Sequence, residues 1–211
     1  MSSVQKPIFL SVTSKKVSAS NAGPSVHKNW VDHIRGSCEV ITIDAETVTR
    51  DNWFTKFSVL NGSISYSSIY IYLCIHGLNE NGVQYVKFNE NYKMSEAEFM
   101  GMITRSLTSN IYVFFEMCHS GYFTLKNVED IRRAKTITLF STCSPDEKSY
   151  LVKTNTLFES YQIGICTQFL MQNNINPYLQ PEKAVISFNS SSASRQPKKQ
   201  TAVLMKYTLV N

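Results

Sequence analysis

Short apolar runs alternate along the chain with stretches in which apolar residues recur every three or four positions. Pro7 to Thr13 is a first strand-like run, and Ser25 to Arg35 follows with Val26, Trp30 and Ile34 four apart and Gly36 as a stop. The alternation repeats. Glu39 to Asp44 (EVITID) is brief and β-branched, and Asp51 to Leu60 sets Trp53, Phe57 and Leu60 on one helical face before Asn61-Gly62 breaks it. Ser68 to Ile75 and Asn110 to Met117 are dense in β-formers, the first stopping at His76-Gly77 and the second at Cys118. Between them, Asn81-Gly82 predicts a turn before a hairpin strand over Val83 to Phe88. Ser95 with Glu98 is a capping box that opens a helix to about Leu107. Thr136 to Ser141 reads as a further strand, Phe158 to Gln172 and Pro181 to Phe188 as helices, and Thr201 to Leu209 as a final strand.

Strands that are apolar on both faces and separated by amphipathic helices predict a mostly parallel sheet of about six strands with helices on both faces, an α/β sandwich. Ligands bind such sheets beyond the carboxyl ends of the strands. With 211 residues and 43% hydrophobic content, the expectation is one domain over residues 1–211.

Composition narrows the function classes. The net charge of +5 is a mild basic excess, densest at Arg195 to Lys199, and no basic stripe is interleaved with aromatics, so no nucleic-acid partner is expected. Apolar runs such as Ile111 to Phe115 are of strand length, so no membrane partner is expected. The opening MSSVQKPIFLSVTSKK lacks the pattern of a secretion signal, and an intracellular, cytoplasmic location is expected. Five cysteines stand singly, without metal-ligand spacing, which fits reduced thiols and no metal site. No Gly-rich phosphate loop follows the first strand, which argues against a nucleotide- or flavin-binding domain.

Two residues carry candidate chemistry. His76 and Cys118 each directly follow a strand, 42 positions apart with one helix between. If those strands are neighbours in a right-handed crossover, imidazole and thiol emerge at one sheet edge, about 5 Å apart at the backbone. A thiol with an imidazole is a minimal machine for acyl transfer: one supplies the nucleophile, the other moves protons. Gly77 and Cys118 are a plausible N–H pair for an oxyanion hole. Spacing alone leaves open the commoner alternative, a buried cysteine and an ordinary polar histidine. His119 is a rival base of poorer geometry, and His27 and His33 fall on a helix where a surface role is expected.

His76-Gly77 after one strand and Cys118-His119-Ser120-Gly121 after the next resemble the motifs of caspase-clan cysteine peptidases, metacaspases most closely. Thr138 to Tyr150, with its Ser-x-Cys at Ser141 to Cys143, the stretch Gly164 to Leu170, and Gln196-Pro197 are similar to later family segments in the same order. The resemblance spans roughly Ser68 to Tyr207. It implies a caspase-like three-layer sandwich and a cysteine endopeptidase acting on proteins or peptides without a cofactor, most simply as a monomer. Cys118 is then the nucleophile, His76 protonates the leaving group, and Cys74, Glu116 and Ser141 bind substrate. Glu116 stands where the family lines its primary specificity pocket, and a carboxylate there suits Arg or Lys. The absence of the family's upstream acid from Leu10 to Gly23, with the unusual Glu116 and Cys74, keeps open a binding-only relative, and Glu80, Glu90, Glu129 and Asp130 are too few for a calcium site of family type, so none is expected. Under basic specificity, Lys15, Lys16, Arg132, Arg133 and Lys135 are candidate self-cleavage positions.

Overall fold

The computed structural model describes residues 6–14, 21–61, 66–123, 135–155 and 160–210. In chain order these form β1 (Ile8–Thr13), α1 (Gly23–Arg35), β2 (Glu39–Asp44), α2 (Trp53–Lys56), α3 (Ser58–Asn61), β3 (Ile69–Cys74), β4 (His76–Glu80), β5 (Val83–Lys87) and β6 (Lys93–Ser95). Then come α4 (Glu96–Arg105), β7 (Asn110–Phe115), β8 (Lys135–Ser141), β9 (Leu151–Asn155), β10 (Ser160–Gly164), α5 (Ile165–Gln172), α6 (Pro181–Ser190) and β11 (Val203–Leu209). The main sheet has six strands in the order β11-β8-β7-β3-β1-β2, parallel throughout except for the antiparallel edge strand β11.

Alternation along the strands builds two apolar layers. Ile69, Ile71 and Leu73 of β3 and Ile111, Val113 and Phe115 of β7 pack with Phe57, Phe99 and Met102 on one face. Tyr70, Tyr72 and Cys74, with Phe114 and Phe140, pack with Val31, Cys166, Leu170 and Phe188 on the other. Period two in the strands sends consecutive residues to opposite faces, so both faces need helical cover. That is the three-layer sandwich the pattern predicts.

Local signals account for several boundaries. The capping box at α4 forms as expected: Ser95 Oγ accepts from the Glu98 N–H (3.3 Å) and the Glu98 carboxylate from the Ser95 N–H (2.8 Å). Gly36 ends α1 at φ 73°, where a side chain would be strained. Two expectations are corrected. The helix expected from Asp51 to Leu60 is two short helices, because the chain leaves helical geometry at the buried Phe57 (φ −100°, ψ 28°). The helix expected from Phe158 begins only at Ile165; Ser160–Gly164 is β10, paired antiparallel with β9. Tyr161, Ile163 and Ile165 alternate with period two, a strand signal masked by the overall apolarity of the segment. Among the described residues, no helix is long and apolar enough to cross a membrane.

Candidate active site

β3 and β7 are parallel neighbours, with Leu73 in register with Phe115. Their carboxyl ends therefore deliver His76 and Cys118 to the same sheet edge. After Ile75 the chain turns into the small sheet β4-β5-β6, with His76 opposite Lys87 and Gly77 opposite Val86. His76 is exposed and Gly77 buried. Gly77 lies against the backbone of Cys118: a Cβ there would overlap the Cys118 carbonyl oxygen and stand 2.9 Å from its carbon and 3.4 Å from the Cys118 nitrogen. The two motifs that the sequence separates by a hairpin and a helix are thus in van der Waals contact.

Cys118 is half-buried, and its Sγ faces the Ser149 carbonyl at 3.8 Å. The turn that presents it is held on several sides. His119 is left-handed (φ 58°), rare for a residue with a Cβ and costly unless neighbours impose it. The neighbours do so: the His119 N–H donates to the Glu147 carbonyl (3.0 Å), and its Nδ1 meets the Pro145 carbonyl at 2.8 Å. Buried Gln84 of β5, with its amide nitrogen turned toward carbonyls, donates to His119 O (3.2 Å) and Leu78 O (3.0 Å). His119 is therefore a bracket whose ring points to the 142–150 loop. Below it, Ser141 Oγ donates to the Ser120 carbonyl (2.9 Å), and the Cys143 thiol to the Met117 carbonyl (3.2 Å). Burial pushes the Cys143 thiol up to about 11, so it remains an uncharged donor.

The 142–150 loop is anchored in turn by Glu147. Its carboxylate accepts from the Ser144 N–H (3.1 Å), the Thr201 N–H (2.5 Å) and the Thr201 hydroxyl (3.0 Å). Burial works against this charge, but the bonds from Ser144 and Thr201 outweigh it and hold Glu147 below the ordinary carboxylate range. The Tyr150 N–H donates to Gln200 Oε1 (3.1 Å), and the Tyr150 carbonyl accepts from the Ile165 N–H (3.1 Å). With Leu151 opposite Gly164, the alternation of strand geometry turns the peptide groups of Ser149 and Leu151 the other way, toward the cysteine side.

Beneath the edge is a buried polar cluster. Glu116 is 3% exposed. Its Oε2 accepts from the Tyr72 hydroxyl (2.5 Å), and its Oε1 from the Thr167 hydroxyl (2.7 Å) and, at 3.4 Å, the Thr167 N–H. Gly164 leaves room for the carboxylate, which a Cβ there would overlap. Burial raises the Glu116 pKa, against the pull of Tyr72 and Thr167. Cys74, also buried, is pushed up to about 12 by burial and by the Glu116 charge. Among the described residues no cation pairs with Glu116.

The residues singled out from sequence are thus gathered in two tiers: His76, Gly77 and Cys118 at the edge, Cys74 and Glu116 under it, and Ser141 buried beneath the Cys118 turn. His33 is exposed as expected, but His27 is corrected: it is fully buried, next to Thr167 and Tyr178. Sequence reasoning missed Gln84, Glu147 and Asn21. The Asn21 backbone bridges to Gln162, and its Oδ1 accepts from the Gly23 N–H (2.8 Å). No local pattern marks these three; only long-range packing does. Lys15, Lys16, Glu129, Asp130, Arg132 and Arg133 lie outside the described residues, while Lys135 is buried at the start of β8 with its ammonium on the Ser106 carbonyl (2.5 Å). Glu80 and Glu90 pair with Lys93 and Lys87, and no group of three His, Cys, Asp or Glu among the described residues could hold a metal ion.

No protein-family model matches the sequence, and no curated protein matches it. Among solved structures, the crystal structure of caspase-1 from Spodoptera frugiperda superposes with a TM-score of 0.52, covering 99% of this chain and 88% of that one at 10% identity. The chain has a caspase-like fold. At that identity the likeness is one of architecture, and the chemistry rests on the residues at the sheet edge.

Proposed function

We propose that the protein is a cysteine endopeptidase that cleaves after Arg or Lys, with Cys118 as nucleophile and His76 as proton carrier. The observation that carries this reading is the abutment of Gly77 on the Cys118 backbone, which roots the imidazole one residue from the nucleophile turn. The Cys118 sulfur, its proton passed to His76, attacks the scissile carbonyl carbon, and the oxyanion develops toward the N–H groups of Gly77 and Cys118. His76 then protonates the leaving amine, the C–N bond breaks, and water hydrolyses the thioester. The outward peptide groups of Ser149 and Leu151 offer an edge on which an extended protein or peptide substrate would pair beside the sulfur.

Basic specificity is supported by the charge balance of the lower tier. Among the described residues Glu116 has only uncharged donors, so its buried carboxylate lacks there a positive partner that an entering guanidinium or ammonium would supply. The test is hydrolysis of fluorogenic peptides carrying Arg, Lys, Asp or Asn before the reporter, by wild type, Cys118→Ala and His76→Ala. The reading expects cleavage after Arg or Lys that disappears in Cys118→Ala. Cleavage after Asp or Asn would overturn the specificity, and no cleavage by folded protein would favour a binding-only relative.

A further inference from the structure

The Glu116 cluster extends inward to a histidine that the proposed chemistry does not use. His27, on α1, is fully buried; it stacks on Tyr72 with ring centroids 4.1 Å apart and meets Phe114 edge-on at 4.4 Å. Its Nδ1 lies 2.7 Å from the Tyr178 hydroxyl and its Nε2 3.1 Å from Thr167 Oγ1. The Thr167 hydroxyl proton is committed to Glu116 at 2.7 Å, so Thr167 Oγ1 can only accept from histidine. That places the imidazole proton on Nε2, leaves Nδ1 to accept from Tyr178, and points every donor in the chain Tyr178, His27, Thr167 toward Glu116. Tyr72 donates from the other side.

We propose that His27 is a positioning residue for the specificity pocket: acting through the Thr167 hydroxyl, it holds Glu116 in the ionised, cation-binding form and so sets the pH above which a basic side chain is selected. This rests on the reading of Glu116 as the pocket carboxylate. Among the described residues, the ionisable groups around Glu116 are Tyr72 and Cys74 from β3, Cys166 from α5, Tyr178 beyond α5, and His27 behind Thr167. Burial raises the four thiols and phenols and lowers His27, and it raises Glu116 as well; the bonds from Tyr72 and Thr167 are what pull Glu116 back toward the ionised form. An imidazole N–H donated to the threonine oxygen polarises its hydroxyl and strengthens the bond to the carboxylate; an apolar ring of the same size removes that donor.

The experiment compares kcat/KM, from acid to neutral pH, for two peptides that differ only in arginine or citrulline before the reporter. Citrulline keeps the shape and removes the charge, so the arginine-to-citrulline ratio follows Glu116 ionisation and cancels effects on the dyad. His27→Phe should move the acid limb of that ratio up by about one pH unit, roughly tenfold at a pH within the limb. Thr167→Val should do the same. His27→Gln, whose amide can donate to Thr167 and accept from Tyr178, should keep the wild-type limb and shows that the effect is not one of folding. A wild-type limb in His27→Phe or Thr167→Val overturns this inference and leaves the pocket reading intact. A wild-type ratio near one at every pH, or no hydrolysis by folded protein, overturns the pocket reading and this inference with it.

Discussion

Gly77 occupies the space in which any side chain would collide with the Cys118 carbonyl. The obstacle is backbone, which cannot rotate away as a side chain can. Gly77→Ala is expected to destabilise the fold by about 1–3 kcal/mol through overpacking. It should also lower kcat by roughly 100-fold, the cost of shifting a nucleophile by about 1 Å. Thermal unfolding read alongside peptide hydrolysis checks both; wild-type activity in the folded variant would separate Gly77 from the nucleophile's geometry.

The two histidines near Cys118 are expected to behave oppositely. His119 is held by the Pro145 and Glu147 carbonyls in a left-handed turn. Asn accepts that conformation, so His119→Asn should lose about 1 kcal/mol of stability, for the hydrogen bond to Pro145, and keep hydrolysis within about tenfold. His76→Ala should lower hydrolysis by about 10²–10⁴ with little change in unfolding, because the side chain is exposed. The reverse order of losses would make His119 the base.

Gln84 ties the hairpin that carries His76 to the turn that carries Cys118, through His119 O and Leu78 O. Gln84→Met keeps the volume and removes both donated bonds, at about 1–3 kcal/mol of stability. The expected kinetic signature is a fall in kcat with KM nearly unchanged, measured on the best peptide of the panel.

Glu116 and Glu147 should give stability profiles of opposite sign. Burial raises the Glu116 pKa above its unfolded value, so its contribution is fully present below the unfolded pKa and is lost as pH rises through the folded one. Glu116→Gln, whose amide can still meet the Thr167 and Tyr72 hydroxyls, should therefore unfold at a higher temperature than wild type at pH 7, by roughly 2–4 °C for each 1 kcal/mol gained. The advantage should shrink toward pH 4. Circular dichroism melts at several pH values decide this, and a lower midpoint for Glu116→Gln at pH 7 would count against it.

At Glu147 the bonds from Ser144 and Thr201 bring the folded pKa below the unfolded one despite burial. Its stabilisation is present above the unfolded pKa and lost as pH falls through the folded value. Glu147→Gln should melt below wild type at pH 7 and converge with it near pH 3, with weaker hydrolysis at pH 7 as the Cys118 turn loses its brace. Parallel melting curves across this range would place the anchoring elsewhere.

Much of this was legible in the chain itself. Apolar runs separated by amphipathic stretches determined a mostly parallel sheet covered on both faces, because a strand apolar on both sides has no other way to leave water. The positions of His76 and Cys118, each directly after such a strand, determined that they share the loop edge if β3 and β7 are neighbours, and those strands are in register. Motif order from Ser68 to Tyr207 pointed to the caspase-like sandwich that the superposition bears out. What the tertiary structure alone decided concerns pairs far apart in sequence. His27 reads as one more polar residue on an amphipathic helix, yet it lies against Tyr178 and Thr167, residues more than a hundred positions away. Glu147 meets Thr201, and β10 hides inside a segment whose composition suits a helix. Local pattern reports which face of an element is buried; which side chains face one another across that burial depends on how the layers close, and a buried hydrogen bond has no period to leave in the sequence.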